Sequence, residues 1–224
     1  MTDRPTGVGT GRTGLSATGL AALFAVGAVG GLIGDMCHVE SGTTVYLEDP
    51  LPYVWKSQLW FPLMVGSGTA ALGWIRVRIG DAAGRSSDAG DRPADGGDRP
   101  ADADRLRRAV LMIAAVVGLY ALTALVRDES QPAAIVLVYA VALLIVAAFA
   151  TGPADLACAC LAALVGVGTE IVLAAADVFA YAGDIGRFAG IATWLPGLYL
   201  AYGVVAGQLG LLLATREGER AGAA

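Results

Sequence analysis

One carboxylate lies in the middle of an apolar stretch of this sequence, where ionisable side chains are rare. Glu170 falls within the stretch 154–181, and helix geometry places it about 3 Å from the centre of that stretch. A charged side chain at the centre of a membrane-spanning helix costs roughly 2.5–3.5 kcal/mol, so such residues usually face a cavity or a partner. Because burial favours the neutral form of a carboxyl group, we expect Glu170 both to donate and to accept hydrogen bonds.

Other polar side chains lie at similar depth in neighbouring apolar stretches. Four tyrosines fall within about 6 Å of the centres of their stretches, Ser67 and Thr169 are also central, and Gln208 lies nearer one end. The candidate ligand-binding residues are therefore Glu170, Thr169, Tyr120, Tyr139, Tyr202, Tyr199, Gln208 and Ser67. The alternative is that each hydroxyl bonds a nearby carbonyl and that Glu170 only specifies packing, because sequence gives depth but not facing.

The remaining reactive side chains form no recognisable catalytic or metal-binding pattern. The three cysteines, Cys37, Cys158 and Cys160, lack the paired spacing of a disulfide framework or a zinc site. His38 is the single histidine, with Asp35 three residues before it, and no Ser-His-Asp arrangement, P-loop or dinucleotide-binding turn is present. We expect no enzymatic activity, no cofactor, no metal and no nucleic-acid partner.

Six apolar stretches must position these side chains. The chain is 56% hydrophobic and only 16% charged, whereas a soluble domain is about a quarter charged. A helix needs roughly 20 apolar residues to cross a bilayer. The sequence predicts an all-α, polytopic membrane protein, a single membrane domain over 1–224 with six transmembrane helices in a compact bundle, at about 14–36, 57–79, 107–126, 132–151, 154–181 and 191–215.

The distribution of arginine and lysine predicts the orientation of the six spans. Twelve of the fifteen basic residues lie before the first span, in the loop from Arg76 to Arg108 that joins spans two and three and includes their ends, or after the last span. The other three are Lys56, Arg127 and Arg187. Because basic loops stay in the cytoplasm, both termini are expected to be cytoplasmic. The arginine-, alanine- and glycine-rich composition favours a bacterial protein, and hence the bacterial cytoplasmic membrane.

The segment between spans two and three has a different composition. Residues 80–104 repeat the sequence Asp-Arg-Pro-Ala-Asp, starting at Asp91 and at Asp98, and contain almost no large apolar side chain. Such a segment cannot bury a core, so we expect a disordered acidic cytoplasmic linker. The arginines that flank it, including Arg76, are expected to lie among anionic lipid headgroups.

Small residues at a spacing of four predict close helix contacts. Gly27 is followed by Gly31 in the first span, and Gly203 by Gly207 in the sixth. In lipid, small residues let helix backbones approach closely, since burial of apolar surface no longer drives association. The contacts could lie within one bundle or between protomers, so a homo-oligomer is an open expectation.

The last third of the chain resembles the Insig (insulin-induced gene) family of six-span membrane proteins. Trp194-Leu195-Pro196 resembles the start of that family's last helix, and the run 202–210 is similar to its Gly-Val-x-x-Gly-Asn-Ile-Gly segment. Thr169-Glu170 stands at a Thr-Gln position, and 178–181 is similar to Val-Tyr-Gln-Tyr. Asp35 and His38 are similar to an Asp-Ala-His motif at the end of span one. The resemblance is good over about 165–214.

The resemblance implies a bacterial homologue with lipid binding between helices. Glu170 replaces the family glutamine, Gln208 an asparagine, and Leu211 an arginine. Animal members bind oxysterols and retain Scap and hydroxymethylglutaryl-CoA reductase in the endoplasmic reticulum, and those partners are not expected here. The expected ligand is a neutral amphipathic lipid, sterol-like or diacylglycerol-like, and the expected role is lipid sensing or regulatory binding. Alternatives are a small proton-coupled transporter using Glu170 and Asp177, or a structural scaffold.

Overall fold

The computed structural model describes residues 14–47, 52–87, 102–182 and 187–223. These residues form six helices: α1 (Ala17–Ser41), α2 (Trp60–Ser87), α3 (Asp102–Leu125), α4 (Gln131–Phe149), α5 (Pro153–Ala175) and α6 (Leu195–Ala223). Within the described residues, α1, α3, α4, α5 and α6 as far as Thr215 are long and apolar enough to cross a membrane. The predicted all-α membrane bundle is confirmed, with α2 as the sixth, less apolar helix.

Helix α2 owes its weaker apolar character to a few residues. It has 28 residues and packs along α1 and α6, so its place in the bundle is like that of the other helices. Its second half contains four charged residues between Arg76 and Arg85, and its first three turns contain Pro62 and the segment Gly66-Ser67-Gly68. The helix continues to Ser87, into the predicted linker 80–104, whose residues 88–101 lie outside the described residues.

Among the described residues, six short strands cap one end of the bundle, and the sequence pattern did not predict them. They are β1 (Thr44–Tyr46), β2 (Tyr53–Val54), β3 (Ser57–Gln58), β4 (Phe179–Tyr181), β5 (Arg187–Phe188) and β6 (Ile191–Ala192). β1 pairs with β4 in an antiparallel ribbon, and β2–β3 and β5–β6 form two hairpins. We call this the ribbon end, and the opposite end, where α1 begins and α6 stops, the terminal end.

Helix α5 ends six residues before the predicted limit of its span. Asp177 adopts the left-handed conformation, with φ of 55°. Its N–H donates to the Ala174 carbonyl, and the Val178 N–H donates to the Leu173 carbonyl. This hydrogen-bond pattern is a Schellman motif, which closes a helix and redirects the chain. The apolar residues 179–181, predicted as part of the span, therefore form β4.

Glycines bring the helices together as their spacing predicted. A Cβ on Gly203 would lie 2.5 Å from the Cys158 carbonyl oxygen of α5, and one on Gly31 would lie 2.7 Å from Val65 Cβ of α2. Gly73 and Gly210 bring the backbones of α2 and α6 into contact. Helix α6 is the central element. In its apolar 18-residue stretch 67% of the residues are buried, whereas the corresponding share in the other candidate spans is 22–28%.

Candidate functional site

A cavity of about 390 Å³ lies inside the bundle, between α1, α2, α3, α5 and α6. Its walls are mainly aliphatic side chains and glycine, with few polar groups. Two of its lining residues, Ala71 and Val165, are exposed, so the cavity is not sealed. Its polar lining residues are Thr69, Tyr120, Thr169, Glu170, Tyr199 and Tyr202. Five of the eight candidate residues named from the sequence therefore line the cavity.

Glu170 lies in the cavity wall and is held by two phenols. The side chain is 5% exposed. The Tyr181 hydroxyl donates to Oε2 at 2.7 Å, and the Tyr199 hydroxyl donates to Oε1 at 2.8 Å. The Tyr199 ring can reach Glu170 because Gly166, one turn earlier in α5, has no side chain; a Cβ there would lie 2.3 Å from Tyr199 Cε1. Each carboxyl oxygen retains one lone pair for a further donor.

Tyr202 and Thr69 form a second polar pair on the cavity wall. Their hydroxyl oxygens are 2.9 Å apart, and the Tyr202 hydroxyl also lies 3.0 Å from the Val65 carbonyl oxygen, to which it donates. The Tyr202 ring stands edge-on to the Tyr199 ring, with centroids 6.2 Å apart. These contacts join α2 to α6 beside Glu170 and fix the positions of both tyrosine rings.

Tyr120 adds a third phenol to the cavity, from α3. Its ring packs directly on Gly34 of α1, where any Cβ would overlap the ring carbons. It also stands edge-on to the His38 ring, with centroids 4.6 Å apart. Thr169, the residue before Glu170, is half-buried and lines the same cavity.

The other three candidate residues lie outside the cavity. Ser67 is exposed and donates to the Leu63 carbonyl at 2.8 Å, as the alternative interpretation of the hydroxyls anticipates. Tyr139 packs against Gly197 and donates to the Thr193 carbonyl at 3.4 Å. Gln208 is buried and donates to Thr151 and Asp155. Side chains at similar depths along their helices therefore do not all face the cavity.

A buried ion pair at the terminal end was missed by the sequence reasoning. Arg76 Nε donates to Asp155 Oδ1 at 2.5 Å, and the Asp155 side chain is fully buried. Asp155 Oδ2 accepts the Thr151 N–H at 2.7 Å and the Gln208 amide at 2.9 Å. Arg76 is thus inside the bundle and not among lipid headgroups, which corrects the expectation. Asp155 lies in the first turn of α5, where the helix dipole favours a carboxylate, so its position gave no signal of a partner in α2.

Two further polar contacts lie at the ribbon end. The Tyr46 hydroxyl donates to Asp35 Oδ2 at 2.5 Å, and His38 Nε2 lies 2.7 Å from Thr123 Oγ1. Asp35 and His38 are both buried. Asp177, the partner of Glu170 in the transporter alternative, is exposed and lies beyond the end of α5.

No family model matches the sequence. The chain is 40% identical over 195 residues to the INSIG protein homolog of Mycolicibacterium vanbaalenii. The aligned region covers 87% of this chain and 86% of that protein. The crystal structure of the mycobacterial Insig homolog MvINS from Mycobacterium vanbaalenii matches with a TM-score of 0.75 and 38% identity, over 90% of this chain and 97% of the other. A cross-linked trimer of an arginine-to-cysteine variant of MvINS matches equally well, at 37% identity, with the same coverage.

The sequence similarity extends well beyond residues 165–214. It covers most of both proteins, and the solved structure shares the arrangement of the helices. With its apolar helices and its bacterial relative, the chain is an integral multi-pass protein of a bacterial membrane. At 40% identity over 87% of its length, this chain belongs to the Insig family.

Proposed function

We propose that this Insig family member binds a neutral amphipathic lipid, sterol-like or diacylglycerol-like, in the cavity beside Glu170. In this role the protein is a lipid sensor or a regulatory binding protein. The observation that carries the proposal is an apolar cavity, open to the surface of the bundle, with one buried carboxyl group in its wall. Small-molecule sites have this composition: an apolar lining with a few polar groups that fix orientation.

The size of the cavity favours partial enclosure of a lipid. At about 390 Å³ it lies near the lower end of the 300–1,000 Å³ that is typical of ligand pockets. It can enclose a small head and the adjoining carbon skeleton, while the remainder of a longer lipid extends into the bilayer. The exposed lining residues Ala71 and Val165 mark where such a chain would leave.

The charges around the cavity favour a neutral head. Among the described residues that line it, none is lysine or arginine, so nothing there would neutralise a phosphate. An ionised Glu170 would repel a phosphate, and a neutral one would offer it no opposite charge. A hydroxyl group suits the site better, because it can donate to a free lone pair of Glu170, and an ester carbonyl can accept from the hydroxyls of Thr169 and Tyr120.

Lipid retention by variants of Glu170 tests the proposal. The protein is purified in mild detergent, and co-purifying lipid is measured by mass spectrometry for the wild type, Glu170→Ala and Glu170→Gln. We expect a neutral lipid that the wild type retains and Glu170→Ala loses. Glu170→Gln should keep most of it, since the amide oxygen accepts from one of the two tyrosines while the NH2 group can donate to the hydroxyl oxygen of the other. Ser67→Ala, which changes an exposed hydroxyl outside the cavity, is the matched control. Equal lipid content in wild type and Glu170→Ala would refute the proposal.

We also propose that both termini face the cytoplasm and that the protein forms a homo-oligomer. The excess of arginine at the terminal end supports the orientation, and the cross-linked trimer of MvINS supports self-association.

Reporter fusions at each terminus test the orientation, with activity expected only from reporters that work in the cytoplasm. Light scattering of the detergent-solubilised protein tests self-association, and a monomeric mass would contradict it.

A further inference from the structure

A second, much smaller chamber lies beside the lipid cavity, at the ribbon end. Its volume is about 20 Å³, and it shares Phe61, Tyr120 and Glu170 with the larger cavity. On this measure one water molecule needs roughly 10–15 Å³ together with two to four polar partners. The residues with polar side-chain atoms that line the chamber are Asp35, His38, Thr44, Tyr46, Trp60, Tyr120, Glu170 and Tyr181. Its size and its polarity therefore suit a single water.

The register of the β1–β4 ribbon creates this chamber. Thr44 pairs with Tyr181 and Tyr46 pairs with Phe179, so these four side chains project from the same face of the ribbon. All four line the chamber, while Val45 between them is exposed. Burial raises the pKa of both the Tyr46 and the Tyr181 phenol, so each remains protonated and donates to its carboxyl partner.

Thr44 supplies the observation that points to an occupant. Its side chain is 8% exposed, and its Oγ1 is the one fully buried side-chain nitrogen or oxygen without a hydrogen-bond partner in the described part of the chain. Leaving a buried hydroxyl unpaired is costly, and such groups in native proteins usually bond to ordered water. The threonine lines a chamber of the right size, and valine would have the same shape without the hydroxyl.

We propose that the chamber binds one water molecule, which hydrogen-bonds Thr44 Oγ1 and bridges the Asp35–Tyr46 pair to the Glu170–Tyr181 pair. The first pair links α1 to β1, and the second links α5 to β4. The water joins the two into one hydrogen-bonded network across the ribbon end. The capping ribbon is thereby coupled to the wall of the lipid cavity, whether or not a lipid is bound there.

Isosteric substitution of Thr44 tests the proposal. If Thr44 bonds a water, Thr44→Val loses a hydrogen bond and lowers Tm by about 2–4 °C, whereas Thr44→Ser keeps the hydroxyl and the bond. If no water is bound, Thr44→Val removes an unpaired polar group, so Tm rises or stays unchanged, which would overturn the proposal. Thr43→Val is the matched control, because Thr43 is fully buried and its hydroxyl bonds Ser41; its Tm should fall in either case.

Crystals of the full chain, grown with and without added diacylglycerol, identify the occupant directly. We expect isolated density for one oxygen within hydrogen-bonding distance of Thr44 Oγ1 and of a carboxyl group under both conditions, and its loss in Thr44→Val. Density continuous with a lipid would mean that the chamber takes a lipid hydroxyl, and absent density would mean that it takes nothing; either result overturns the water assignment. An empty chamber would overturn the water assignment and leave the lipid proposal for the larger cavity untouched.

Discussion

Removal of the Arg76 side chain should destabilise the protein more than the loss of any exposed charge. Arg76→Leu leaves Asp155 fully buried and without a cation, and breaking one partner of a buried ion pair costs about 3–5 kcal/mol. For a chain of this size each kcal/mol lowers Tm by about 2–4 °C, so the expected fall is about 6–20 °C. Dye-based thermal unfolding in detergent measures it.

Two further variants show whether the loss arises from the unpaired carboxylate. Arg76→Leu combined with Asp155→Asn removes both charges and should recover part of the loss, as coupled residues do in a double-mutant cycle. Arg127→Leu breaks the ion pair with Asp128, whose side chain is 85% exposed, and should cost less than about 1 kcal/mol. A fall in Tm for Arg76→Leu no larger than that for Arg127→Leu would refute the reasoning.

Three other changes have distinct expected outcomes. Gly203→Val places side-chain atoms against the backbone of α5 and should cost about 1–3 kcal/mol, measured as a lower Tm; an unchanged Tm would contradict the contact. Tyr199→Phe removes one hydrogen bond to Glu170 and should cost about 1 kcal/mol while reducing lipid retention, with the exposed Ser67→Ala as control. Ser16→Ala removes the N-cap of α1 and should also lower the free energy of unfolding by about 1 kcal/mol, measured by thermal unfolding. If Glu217→Ala lowers Tm and Ser16→Ala does not, the stabilisation comes from the contact of Glu217 with the start of α1 and not from the cap.

The helices could be predicted because their signal is long and repeated. Some twenty consecutive apolar residues exclude most other structures, and the positions of the charges separated the spans clearly. The strands have only two or three residues, so they carry no periodic signal of their own. Residues 179–181 are apolar and follow an apolar helix without a break in composition, and a single left-handed residue, Asp177, ends the helix there.

The sequence predicted the depth of the candidate side chains along their helices, but it did not predict which of them face the cavity. Tyr139 and Tyr199 lie at similar depths, yet only Tyr199 faces the cavity, because Gly166 of α5 accommodates its ring. Glu170 stood out because a carboxylate is rare at the middle of a span. Asp155 did not, since it lies in the first turn of its helix, where a carboxylate is ordinary. Its partner Arg76 is 79 residues away in the chain, and no local pattern connects the two.

The contact between the start of α1 and the end of α6 has a consequence for chain connectivity. Ser16, the residue before α1, donates from its backbone N–H to the Glu217 carboxylate near the end of α6, although 201 positions separate them. Chain ends that lie side by side can be joined by a short linker without moving either helix. The bundle is therefore suited to circular permutation, with new termini opened between α2 and α3, at the same end as the old ones. Such a permutant would keep every helix contact while changing the order in which the six spans enter the membrane.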